Sequence, residues 1–275
     1  MRKSTLLKLF WRSARLMVLT YLGVCLVLWF FENLLVFRPT TADQDWQPKL
    51  IADIEDVELT LADGTALHAW WLPCPGGDET LLYFHGNAGN LSHRGGSIIK
   101  IRQLLNVAVL IIDYPGYGKS GGRPSEQGCY QTADAAYEWL IDKRKIAPEK
   151  ILLFGGSLGG GVAVDLASRK THRALILAKT FTSAPDVGAS AYPWLPVRWL
   201  MRNRFDSLGK IGKCRRPVFI GHGDADGLIP FAQGKRLFEA ANEPRQFLAL
   251  FGADHNDPLP EVFFTELRRF LAANP

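Results

Sequence analysis

Hydrophobic positions follow three different rules along the 275-residue chain. From Leu16 to Phe31 the run "LMVLTYLGVCLVLWFF" carries no charge, and after Glu32 the stretch "NLLVF" prolongs it to Phe37. Residues 38–50 are polar and read as a linker. Then "DVELTLADGTALHAWWLP" alternates on either side of Asp63-Gly64, which predicts a β-hairpin. Beyond it, apolar runs are short, bounded by turn residues and not alternating: "LLYF" (81–84), "VAVLIID" (107–113), "ILLFG" (151–155), "ALILA" (174–178), "PVFIG" (217–221) and "FLALFG" (247–252). That pattern predicts strands buried on both faces. Helical patterns at 96–105, 127–143, 158–169, 231–241 and 260–272 separate most of them. Alternating strands and helices predict an α/β fold, a mostly parallel sheet covered on both faces, with the hairpin as an antiparallel edge. One domain, residues 51–275, accounts for this pattern.

One segment breaks the alternation. Residues 181–213 separate two strands by more than a connecting helix requires, and they include "AYPWLPVRWLM". Pro193 and Pro196 argue against one continuous helix there. In such a sheet the insertion should lie over the strand ends, where ligands bind. We expect a small lid from Ala191 to Met201 that lines an acyl pocket and faces a bilayer, with Trp194 and Trp199 as substrate-binding residues. Arg198 and Arg202 would meet lipid phosphates or water. The competing expectation is that both tryptophans pack into the core.

The formal net charge of +5 does not mark a nucleic-acid protein. Residues 1–15 hold Arg2, Lys3, Lys8, Arg12 and Arg15 and no acid, leaving 27 basic and 27 acidic side chains in the remainder. A basic segment (1–15) followed by an apolar run (16–37) predicts an uncleaved signal-anchor helix that ties the protein to a membrane. Positive charge stays on the cytoplasmic side. The N-terminus is therefore expected inside and the body across the membrane, in the periplasm if the source is bacterial. Cys25 falls in the anchor, and Cys74, Cys129 and Cys214 have no metal-ligand spacing. No metal or cofactor is expected. Asn90-Leu91-Ser92 fits a glycosylation sequon.

The chemistry concentrates in "ILLFGGSLGGGVAVDLASRK" (151–170). Gly155-Gly156-Ser157-Leu158-Gly159 is a G-x-S-x-G motif between a predicted strand and a predicted helix, the context of a nucleophile elbow. A serine needs a base and an orienting acid to act as a nucleophile. In this arrangement acid and histidine follow the serine, each in a loop after a strand. His255, in "FGADHNDP", occupies the last such loop. The preceding loop, "GHGDADGLIP", offers both Asp224 and Asp226 as the acid. An oxyanion hole needs two backbone N–H groups. Leu158 should supply one, and the loop "HGNAGN" (85–90) the other, from Asn87 or alternatively Ala88. His85 is expected to brace that loop.

Six motifs in order, "YFHGNAGN", "DYPGYGKSGGRPSEQG", "GGSLGGGVA", "TFTSAPD", "GHGDADGLIP" and "GADHND", resemble the membrane-anchored α/β-hydrolase-domain family, which includes depalmitoylases and bacterial hydrolases related to the prolyl oligopeptidase clan. The likeness runs from about residue 55 to 270. It implies an α/β-hydrolase fold, a Ser157 nucleophile and a His255 base. The pattern H-G-x-x-D-x-x-V-P places the acid on Asp226. The family often has Glu at the end of the strand "ALILA", where this chain has Ala178. The depalmitoylases carry an N-terminal cysteine cluster, which this chain lacks. The resemblance implies a serine hydrolase acting on small acyl esters, thioesters or lipid-like substrates. A peptidase-like hydrolase and a non-catalytic membrane scaffold are the alternatives.

Overall fold

The computed structural model describes residues 2–275, with side chains from residue 6 onward. The strands are β1 (Arg38–Pro39), β2 (Glu55–Thr60), β3 (Ala66–Leu72), β4 (Thr80–Phe84), β5 (Ala88–Gly89), β6 (Ala108–Ile112), β7 (Ile151–Gly156), β8 (Ala174–Ala178), β9 (Val218–Gly223) and β10 (Arg245–Leu250). Eight of them form one sheet in the order β10-β9-β8-β7-β4-β6-β3-β2. All its pairings are parallel except β2 with β3 and β3 with β6, so the hairpin forms one edge as the alternation predicts.

The non-alternating runs have a direct explanation. Along β7, Ile151 and Leu153 face one core while Leu152 and Phe154 face the other, and β8 and β9 divide in the same way. Helices α4 (Glu126–Asp142), α5 (Leu158–Ala167) and α9 (Phe231–Ala240) cover the first face through Ala133, Val162 and Leu237. Helices α3 (Gly95–Leu105) and α10 (Glu261–Ala273) cover the second through Ile98 and Phe263. Fully buried strands need apolar residues at every position. The insertion folds into three short helices, α6 (Ala184–Ala191), α7 (Val197–Leu200) and α8 (Leu208–Ile211). Pro193 and Pro196 lie between the first two, as expected of residues that cannot continue a helix.

The N-terminal boundaries differ from the expectation. Helix α1 (Arg2–Phe30) runs through the basic segment without a break. Its stretch Leu6–Phe30, with mean hydropathy 1.8, is long and apolar enough to cross a membrane. The chain turns at Phe31, and the short α2 (Glu32–Val36) leads into Phe37, which is buried against the Phe205 ring. The end of the expected anchor therefore belongs to the body. The reason is Glu32. Its carboxylate is buried and accepts hydrogen bonds from the backbone N–H groups of Arg202 and Asn203, from Arg202 Nε at 3.0 Å and from Asn203 Nδ2 at 3.0 Å. A buried carboxylate needs such donors, and here only the body supplies them.

The expected linker is likewise a strap. Strand β1 pairs in parallel with β5. The Asn90 amide donates to the Thr40 and Asp45 carbonyls at 3.0 and 2.9 Å, and Trp46 packs edge-on against Trp70. Asn90 is fully buried by these bonds. The Asn90-Leu91-Ser92 match to a sequon thus coincides with an amide that holds the strap.

Candidate active site

Strand β7 ends at Gly156 and α5 begins at Leu158, so Ser157 alone makes the turn. Its φ of 52° and ψ of −121° lie where side-chain-bearing residues are strained. The glycines around it permit the close approach. A Cβ at Gly155 would sit 2.2 Å from the Gly159 carbonyl oxygen, and one at Gly159 would sit 2.0 Å from the Phe84 carbonyl oxygen. Two bonds from the neighbouring strand end hold the turn. The Ser157 N–H donates to the Ala178 carbonyl at 3.0 Å, and the Thr180 hydroxyl donates to the Ser157 carbonyl at 2.7 Å.

The structure brings Ser157, His255 and Asp226 together although they lie on three loops. His255 Nε2 is 3.1 Å from Ser157 Oγ, and His255 Nδ1 is 2.8 Å from Asp226 Oδ2. The other Asp226 oxygen accepts the Leu228 and Ile229 N–H groups at 3.0 and 2.8 Å. His222, fully buried, stands 3.4 Å from Asp226 Oδ2. Burial by itself would raise the Asp226 pKa. Hydrogen bonds from His222, His255 and the Ile229 N–H outweigh it and hold the carboxyl well below the usual range. Asp224 is exposed, and its carboxylate accepts the Gly252 N–H at 2.6 Å, so it acts as a turn residue remote from the imidazole.

Facing the serine is the loop after β4. Gly86 lies against Ser157: a Cβ at Gly86 would sit 3.5 Å from Ser157 Cβ. His85 is fully buried, with Nδ1 2.7 Å from the Gly86 carbonyl and Nε2 3.2 Å from Asp113 Oδ1, as befits a brace. The Tyr117 hydroxyl donates to the Asn87 carbonyl, and the Arg38 N–H donates to Asn87 Oδ1. These bonds use the Asn87 side chain and carbonyl. Among the described residues, neither the Asn87 N–H nor the Leu158 N–H has a backbone carbonyl acceptor outside regular elements. The N-terminus of α5 lies directly behind Ser157, where negative charge is favoured.

Trp194 and Trp199 are not gathered into this network. Both are exposed, Trp199 at 91%. Trp194 packs edge-on to Tyr192, and its carbonyl accepts the Tyr21 hydroxyl of α1 at 3.0 Å. The core alternative for these tryptophans is thereby excluded. Arg198 and Arg202 are not simply solvated either. The first pairs with Asp186, and the second pairs with Glu32 and lies over the Trp29 ring. All four cysteines are free, with Cys129 and Cys214 fully buried.

One residue at the site escaped the sequence reading. Lys179 follows β8 directly. Its side chain is buried, and its ammonium donates to the carbonyls of Asp254, His255 and Asp257 in the loop that carries the imidazole. A lysine closing an otherwise apolar run, "ALILAK", was the available signal.

Residues 79–205 match the family described as alpha/beta hydrolase fold. The chain is 36% identical over 254 residues to an uncharacterised protein of Mycobacterium tuberculosis, covering 90% of each. It is also 36% identical to alpha/beta hydrolase domain-containing protein 17B of Xenopus laevis, covering 72% of this chain and 68% of that protein. Among solved structures, an esterase of Pyrococcus furiosus superposes with a TM-score of 0.70 at 22% identity, covering 86% of this chain and 99% of the other. An acetyl xylan esterase of Paenibacillus shares the fold with a TM-score of 0.68 at 18% identity, covering 83% of this chain and 87% of the other. The chain belongs to the α/β-hydrolase family.

Proposed function

We propose that this chain is a membrane-tethered serine hydrolase that cleaves carboxylic esters or thioesters through an acyl-enzyme. The observation that carries the reading is the hydrogen-bonded line Asp226–His255–Ser157, ending on a serine in a strained strand-to-helix turn. Ser157 Oγ attacks the acyl carbonyl while its proton passes to His255 Nε2. Asp226 holds the Nδ1–H tautomer and stabilises the imidazolium. The negative charge that develops on the carbonyl oxygen is received by the N–H groups of Leu158 and Asn87. The carbonyl carbon then loses its oxygen or sulfur leaving group, which takes the proton from Nε2. Water, deprotonated by the same imidazole, attacks the acyl-enzyme and releases the carboxylic acid with Ser157 restored.

In this reading α1 spans the membrane with the N-terminus in the cytoplasm and the body on the other side. Protease added outside spheroplasts checks that orientation: it should digest the body. The segment Ala191–Met201 is the lid, and Trp194 and Trp199 receive the acyl chain at its mouth. Support for the lid comes from their exposure, since contiguous apolar surface is usually covered by a ligand, a partner or a bilayer. The names of the esterases that share the fold agree with acyl transfer to water. A fluorophosphonate probe tests the reading. Labelling should occur in the intact protein and vanish in Ser157→Ala; an intact protein that takes no label would instead be a non-catalytic scaffold.

A further inference from the structure

We propose that Lys179 is a positioning residue for the base: it ties the His255 loop to the strand end that also holds Ser157. The proposal rests on the serine-hydrolase reading and deepens it. Its ground is the tripeptide Ala178-Lys179-Thr180, whose bonds reach the Ser157 turn, the His255 loop and the strand that leads to Asp226. Ala178 and Thr180 grip Ser157 from both sides, through its N–H at 3.0 Å and its carbonyl at 2.7 Å. The Lys179 N–H donates to the Gly221 carbonyl of β9 at 2.8 Å, on the strand that leads to Asp226. The Lys179 ammonium donates to the carbonyls of Asp254 at 2.5 Å, Asp257 at 2.7 Å and His255 at 3.3 Å.

Three features show that this arrangement is built rather than incidental. An ammonium has three donors and no acceptor, and here it meets three acceptors in one loop. The side chain is inside the protein, with Lys179 only 4% exposed, where an unmatched charge would be costly. The backbone at Lys179 has a φ of 49°, a left-handed conformation that is strained for a residue with a side chain. Burial lowers the lysine pKa, and the nearby carboxylates of Asp257, Asp226 and Asp254 oppose that shift.

The loop from Phe251 to Pro260 has no regular structure of its own. Apart from Lys179, its ties include the Asp224 carboxylate on the Gly252 N–H and the Asp254 carboxylate on the Gly227 N–H. Both act on the N-terminal side of His255. The Lys179 ammonium reaches the His255 carbonyl itself and the carbonyls on either side of it. Proton transfer requires the 3.1 Å approach of Nε2 to Oγ, and a misplacement of about 1 Å can cost about a hundredfold in rate.

Lys179→Met keeps the length of the side chain and removes its donors. It should lower kcat by about a hundredfold and leave KM within about threefold, since substrate contacts are untouched. Lys179→Arg, which restores donors and charge, should recover at least part of the loss. A proton NMR signature checks the cause without substrate: the low-field His255 Nδ1–H resonance, assigned by its loss in Asp226→Asn, should broaden or vanish in Lys179→Met and return in Lys179→Arg. Fluorophosphonate labelling in the same preparations separates this proposal from the reading beneath it. An unlabelled wild type overturns both. A labelled wild type with Lys179→Met labelled equally fast, its resonance intact, overturns the role of Lys179 alone. If Lys179→Met does not fold, Lys179→Gln, which keeps two donors, carries the same comparison with an intermediate loss expected; full kcat in that variant counts against the proposal.

Discussion

The turn that carries Ser157 and the segment Ala191–Met201 both lie outside the sheet, yet they are held in opposite ways. Around Ser157, segments from four strand ends are bonded to one another. The 191–201 segment has one side-chain ion pair of its own, Arg198 to Asp186, and beside it Arg202 to Glu32. Its large side chains Tyr192, Trp194 and Trp199 face outward. The difference separates two demands. A reacting geometry must be over-determined, because small displacements are costly. A surface proposed to receive flexible acyl chains would have to stay open and apolar.

Substitutions in the two regions should therefore read out differently. The largest effect is expected at the acid. Asp226→Asn should lower kcat by about ten-thousandfold through loss of the correct imidazole tautomer, whereas Asp224→Asn should stay within a few-fold in ester hydrolysis. The reverse result would move the acid to Asp224. The same carboxyl sets an acid limit on stability. Its folded pKa lies below the unfolded value of about 4, so its bonds stabilise the fold fully above that pH, and the contribution is lost as pH falls through the depressed folded value. Urea melts of wild type and Asp226→Asn should accordingly converge as the pH is lowered below about 4.

A smaller effect is expected at the joint between the N-terminal helix and the body. Glu32→Ala leaves the Asn203 and Arg202 donors without their acceptor and should cost about 1–3 kcal/mol in denaturant melts, with kcat on a short soluble ester nearly unchanged. An unchanged melting curve would mean that the joint is not fastened by this carboxylate. The smallest effect on stability, within about 0.5 kcal/mol, is expected from Trp194→Ser with Trp199→Ser, because both residues are exposed. Acetyl-ester hydrolysis should survive while long-chain ester hydrolysis falls several-fold. Equal loss of both activities would end the lid reading.

By itself the sequence determined most of the elements and named the residues of the candidate triad. Periodicity is local, so strands buried on both faces and amphipathic helices declare themselves over short windows. The glycines around Ser157 marked a forced turn, and chain order left His255 as the one base. Tertiary structure decided what local pattern could not carry. Two aspartates in "GDADG" were equivalent as composition, and only the fold turned Asp226 toward the imidazole and Asp224 toward Gly252. Glu32 looked like the end of an anchor because its donors lie about 170 residues away. Lys179 looked like an ordinary strand terminus because its acceptors are the carbonyls of a loop 75 to 78 residues later. Backbone carbonyls are present at every residue, so no sequence signature distinguishes those that accept a lysine from those that do not; the crossing of strand ends in space makes that choice.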